Sequence, residues 1–133
     1  MKFQKVIRAV VLLSIVFSLN LIANAQHGEW EYLGKSRVDG IVDHDKISVN
    51  NGGTFRAIQF GIKGGDIVFQ RVVVHFENGN DTDVQVREHI PAGGRTRAID
   101  LPGDRRRIKS VEFWYEKASY GSNKPILNLW GRR

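Results

Sequence analysis

Cysteine is absent from this chain of 133 residues. Disulfides are therefore excluded, as are a cysteine nucleophile and a lipid anchor attached through cysteine. Helical patterning is missing as well. Beyond the first 25 residues no stretch shows the i, i+3, i+4 recurrence of an amphipathic helix, which argues against a helical bundle. Catalytic signatures are equally scarce. There is no Gly-x-Ser-x-Gly elbow, no histidine spacing of a zinc site among His27, His44, His75 and His89, no cofactor motif and no internal repeat. Nothing singles out a carboxylate pair for sugar hydrolysis, so a small hydrolase is the most distant of the readings.

What is present begins with an address. Lys2, Lys5 and Arg8 precede an apolar run from Ala9 to Leu19, and Ala23-Asn24-Ala25 supplies small residues where a signal peptidase cuts. The run is shorter than the roughly 20 residues of a membrane span. The pattern predicts cleavage after Ala25, export to the periplasm or medium, no transmembrane segment after cleavage, and a soluble mature chain over 26–133. With no disulfides, that chain depends on ordinary core packing, for which its length suffices.

Charge is unevenly spread. The first 25 residues carry three basic side chains and no acidic ones, so 26–133 has 17 against 14, a net +3 rather than the +6 of the whole. Residues 26–86 are net −3 and residues 87–133 net +6. The asymmetry points to an anionic partner, and export together with the modest net charge argues against nucleic acid.

Short alternating runs between clusters of Gly, Asn, Asp and Pro indicate strands. They fall at 30–38, 46–49, 55–62, 67–76, 83–87, 96–101, 108–115 and 125–130. Glu77-Asn78-Gly79-Asn80 is the clearest hairpin signal. About eight strands at turn intervals of roughly 8–12 residues predict an all-β fold, a single antiparallel sandwich of jelly-roll type. Its inward set is expected to include Ile58, Phe60, Ile62, Val72, Val74, Phe76, Val84, Val86, Ile99, Leu101, Val111, Phe113, Leu127 and Leu129.

The segments Phe55-Arg56-Ala57-Ile58, Gly64-Gly65-Asp66-Ile67, Val72-Val73-Val74, Ile108-Lys109-Ser110-Val111-Glu112-Phe113 and Leu127-Asn128-Leu129-Trp130-Gly131 resemble a family of small exported bacterial β-rich proteins of unknown function. The resemblance implies a periplasmic or secreted β domain and carries over no site residue.

Two surfaces compete for a role. Arg95 and Arg97, then Arg105-Arg106-Arg107, lie in turns, and the planar guanidinium suits phosphate, sulfate or carboxylate. They point to a non-enzymatic accessory domain of the cell envelope that binds an anionic glycan or lipid head group. Solvated turns and protected sheet edges account for the same charges without a ligand. The alternative is a carbohydrate-binding surface of exposed aromatics, drawn from Trp30, Tyr32, Trp114, Tyr120 and Trp130. Trp114 and Trp130 both sit opposite apolar stripes and would lie close if the last two strands were neighbours. Asp39, Asp43 and Asp45 cluster at a turn. They lack the 12-residue loop and bidentate Glu of an EF-hand, and read as a solvated turn rather than a calcium site.

Overall fold

The computed structural model describes residues 29–38, 44–50, 52–117 and 124–133. The address segment, Asp39 and Asp43 of the aspartate cluster, and Tyr120 lie outside the described residues. Among the described residues no helix is long and apolar enough to cross a membrane.

Nine strands among these residues form two antiparallel sheets packed face to face. They are β1 (Trp30–Arg37), β2 (His44–Ser48), β3 (Ala57–Lys63), β4 (Ile67–Phe76), β5 (Asp81–Val84), β6 (Glu88–Ile90), β7 (Ile99–Asp100), β8 (Ile108–Lys117) and β9 (Ile126–Arg132). One sheet has the order β1-β9-β3-β7. The other runs β2-β8-β4-β5, with β6 also pairing with β4. The all-β sandwich expected from the alternation is the architecture found.

Alternation explains why these residues make these layers. Side chains on a strand point to opposite faces in turn, so Ile58, Phe60 and Ile62 of β3 and Leu127 and Leu129 of β9 enter the interior. Val72, Val74 and Phe76 of β4 and Val111 and Phe113 of β8 meet them from the other sheet. The two layers lock through three phenylalanines. Phe60 lies 5.1 Å from Phe69 and 5.6 Å from Phe113, centroid to centroid, and Phe69 and Phe113 are 6.4 Å apart. Each buried ring contributes about 1.5–3 kcal/mol by leaving water. Of the expected inward set only Val84 is incompletely buried, and it still packs against the core.

Three local expectations need correction. The run 96–101 forms a strand only at Ile99–Asp100. Thr96 is turned inward, where its hydroxyl accepts the Phe60 N–H at 3.1 Å and its carbonyl accepts the Gln59 side chain at 2.8 Å. Backbone pairing with β3 persists there only at single points, Thr96 N–H donating to Phe60 O at 2.9 Å, and the side-chain bonds supplement it. The hairpin after Phe76 closes tightly, with Phe76 N–H donating to Asn80 O at 2.9 Å, so β5 begins at Asp81 rather than Asp83. Glu88–Ile90 adds a short ninth strand, fixed by pairing with Ile67–Phe69.

A bulge in β1 sets the facing of the rest of that strand. Tyr32 pairs with Trp130 and Gly34 with Leu129, so Leu33 is the extra residue. Gly34 has φ +155°, and a Cβ there would stand 2.8 Å from Ile47 Cγ2 of β2. Only glycine lets the bulged strand lie against the opposite sheet at this edge. Ser36 then faces inward and hydrogen-bonds Asp45 of β2, tying the two edge strands together.

Candidate binding face

The outer face of the β1-β9-β3 sheet carries two aromatic rings in register. Tyr32 of β1 lies directly opposite Trp130 of β9, and Gln59 of β3 completes the row. The rings meet edge to face, with centroids 5.3 Å apart and planes at 69°. Tyr32 is 46% exposed, the one large apolar side chain that exposed among the described residues. One step along the strands, Lys35, Asn128 and Gly61 form the next row. A Cβ on Gly61 would meet Trp130 Nε1 at 3.7 Å, so any larger side chain there would reach into the space beside the indole.

That space is a shallow groove of about 430 Å³, walled by Tyr32, Trp130, Asn128, Lys63 and Arg95 over Gly61. Its far wall is the turn after β6. Gly93 N–H donates to Ile62 O at 2.8 Å and Ile62 N–H to Gly94 O at 2.9 Å. These bonds hold the turn beside β3 and set Arg95 opposite Gly61. The arrangement offers two ring surfaces, a side-chain amide and cationic donors on one rigid sheet. Such a set can stack on an apolar ring face while hydrogen-bonding its hydroxyls.

The outer face of the other sheet has a different character. Trp114 of β8 is stacked by the His44 imidazole (4.5 Å, planes at 19°), and the Arg71 guanidinium lies 4.7 Å from its ring. Arg71 also pairs with Asp83 at 2.8 Å. Beside them Glu112 accepts from His44 Nε2 at 2.6 Å and from His75, whose other ring nitrogen donates to Asp81 at 2.6 Å. The His44 bond, reinforced by His75, outweighs partial burial and holds the Glu112 carboxyl below its ordinary range. Burial works against charge on His75, but its bonds to Asp81 and Glu112 prevail and raise its pKa. Among the described residues no group of His, Asp and Glu is arranged to hold a metal ion.

The sequence candidates are thus dispersed. Trp130 and Arg95 share the groove. Trp114 lies across the sandwich from Trp130, because β8 and β9 belong to different sheets, so the expected closeness of these two rings does not occur. Trp30 is covered by the Arg132 guanidinium at 5.2 Å. Arg97 is paired to Glu88 at 3.4 Å. In the turn before β8, the Arg106 guanidinium lies 3.8 Å over the Phe76 ring and donates to Pro102 O, a structural task. Arg105 and Arg107 remain exposed beside Thr54 and Asn78. Sequence reasoning missed Gln59, Asn128 and Lys63. Only Asn128 had a visible signal, its alternation with Leu127 and Leu129.

The molecule is an all-β sandwich domain with one open aromatic face. It belongs to the DUF2541 family, a domain of unknown function, whose model matches residues 9–131. No curated protein matches the chain. Among solved structures it is similar to Pseudomonas aeruginosa AlgX, with 8% identity and a TM-score of 0.46 over 76% of this chain and 26% of that one. It is also similar to two variants of CBM29-2, a family 29 carbohydrate-binding module. Both are 18% identical with a TM-score of 0.36, over 78% and 80% of this chain and 80% and 81% of theirs. At such scores the likeness is remote and assigns no ligand to this chain.

Proposed function

We propose that this chain is an exported, non-catalytic binding domain of the cell envelope that holds a sugar chain in the Tyr32–Trp130 groove. The observation that carries the reading is the open aromatic pair. Tyr32 and Trp130 leave ring surface free beside Asn128 and Arg95, whereas Trp114 and Trp30 are covered by their own neighbours. Stacking on rigid rings buries area at little entropic cost. Among the described residues the groove wall carries aromatic, amide and cationic groups and no carboxylate, which suits holding a glycan rather than cleaving its bonds by paired carboxylates. Export rests on the three-part pattern of residues 1–25. Intact mass of the secreted species should correspond to a chain starting at Gln26, and a membrane-retained chain of full length would refute this.

A glycan array with the chain 26–133 tests the binding reading. The Trp130→Ala variant should lose about 30-fold or more in affinity, as expected when a stacking anchor is removed. Equal binding by Trp130→Ala and wild type would place the ligand elsewhere. A second reading has its own support in the exposed pair Arg105 and Arg107, which make no ion pair to a described residue and flank a recess of about 460 Å³. There the ligand would be a bare anion such as a lipid phosphate, and Arg105→Ser with Arg107→Ser would abolish binding that Trp130→Ala spares.

A further inference from the structure

The cations around the groove stand out by their grouping. Lys46, Arg87, Arg105, Arg107 and Lys109 elsewhere on the molecule likewise reach no carboxylate among the described residues, but the four beside the groove gather on one face. Arg56, Arg71, Arg97, Arg132 and Arg133 each reach a carboxylate, on Asp104, Asp83, Glu88, Asp100 and Glu31. Lys35, Arg37, Lys63 and Arg95 make no ion pair with any described residue. All four belong to one half of one face. Lys35 sits in the row of Asn128 and Gly61, Arg95 bridges Gly61, and Arg37 and Lys63 flank Ile126 in the following row. Rows are spaced about 7 Å apart along the strands. The positive side chains therefore begin one row from the aromatic pair and extend two rows from it.

The bulge in β1 creates this arrangement. Strict alternation from an outward Tyr32 would send Leu33, Lys35 and Arg37 to the core side, because a one-residue slip exchanges faces. Leu33 faces inward in either case, and the extra residue returns Lys35 and Arg37 to the face of Tyr32. Aromatic rings and unpaired cations thus share one surface by virtue of a specific irregularity.

We infer that the groove takes an acidic sugar chain, a uronate-type oligosaccharide whose ring lies on Tyr32 and Trp130 while its carboxylates meet Arg95 and Lys63. This rests on the sugar-binding reading and adds the charge of the ligand. A neutral glycan would leave four cations without counter-charge from any described residue. A uronate supplies a carboxylate fixed to the ring that stacks, and the guanidinium of Arg95 can donate two parallel N–H bonds to it. A length of two or more sugar units is needed to reach from the rings to Lys63 and Arg37. A phospholipid surface would offer the cations phosphate groups but no sugar ring to stack in the groove.

Oligomers of galacturonate, glucuronate and mannuronate, each as the free acid and as the methyl ester, separate these possibilities by titration calorimetry. The ester keeps the ring and removes the charge. At least one free acid should bind about tenfold or more tighter than its ester, as expected for loss of charge-assisted hydrogen bonds. That advantage should shrink as salt rises from ~0.05 to ~0.5 M. Arg95→Gln with Lys63→Gln should erase the preference for acid over ester, with circular dichroism confirming the fold. Equal binding of acid and ester overturns the acidic assignment while sparing the groove as a sugar site. Failure of every acid and ester overturns both. Binding to phosphatidylglycerol vesicles but to none of the sugars would also overturn the inference, in favour of a membrane surface.

Discussion

The two outer faces of the sandwich start from similar inventories and end in opposite states. Each has a tryptophan at its centre, arginine nearby and polar side chains in register. On the β2-β8-β4-β5 side the central groups are matched internally, Trp114 by His44 and Arg71, Glu112 by two imidazoles, Asp83 by arginine. On the β1-β9-β3 side the rings touch only edge to face, and the groove cations meet no carboxylate among the described residues. Residue type alone does not make a binding surface. The difference lies in what the neighbouring strands deliver to the same row, and a surface satisfied from within has little to gain from a ligand.

Three perturbations sharpen that contrast. The largest effect should come from the element both faces share. Phe113→Ala removes a ring wedged between Phe60 and Phe69, and unfolding in denaturant should show a loss of about 3–5 kcal/mol. Both faces would then fail together. Trp114→Ala should cost about 1–3 kcal/mol by exposing the Arg71 and His44 contacts, yet leave glycan binding untouched, the reverse of Trp130→Ala. Loss of binding in Trp114→Ala with the fold intact would mean that the closed face is the working one.

The smallest effect is a pH profile confined to the closed face. Glu112 titrates below the ordinary 4.5, so its contribution is present above that pH and is lost as pH falls through its depressed value. His75 titrates above the ordinary 6.5, so its contribution is complete below that pH and is lost as pH rises through its raised value. The melting temperature should therefore peak between about 4.5 and 6.5. Glu112→Gln should lower that peak and flatten the profile. An unchanged profile in this variant would show that the His44–Glu112–His75 contacts do not form in solution.

Much of the architecture is legible in the sequence because apolar alternation is a local signal. The β-branched run marks Ile67–Phe76 with the bounds it has, and the inward residues of β3, β8 and β9 follow directly from the two-residue period. The failures are places where distant partners decide. Glu88–Ile90 holds a single buried apolar residue and becomes a strand only because β4 offers Ile67–Phe69 as an edge. Thr96 stands outside any strand and is held by hydroxyl and backbone bonds to Phe60, 36 residues away. In the candidate binding face, Trp130 and Arg95 are visible as residue types. Their meeting over Gly61, and the separation of Trp114 from Trp130, depend on which strand enters which sheet. The bulge at Leu33 has no mark in the sequence beyond a glycine in an otherwise regular run.

The position of β9 carries a consequence in time rather than in space. It is last of the nine strands, yet it lies between β1 and β3 and pairs with both. Until those final residues arrive, the first strand has no neighbour within its sheet and the aromatic pair has only its tyrosine. Strand pairings across such separations form slowly, because the chain must close a long loop before any contact rewards it. A growing chain of this topology stays without its finished sheet until all eight earlier strands have been made. The β1-β9-β3 sheet closes only when β9 is in place, so the Tyr32–Trp130 pair is assembled after every strand of the opposite sheet has been made.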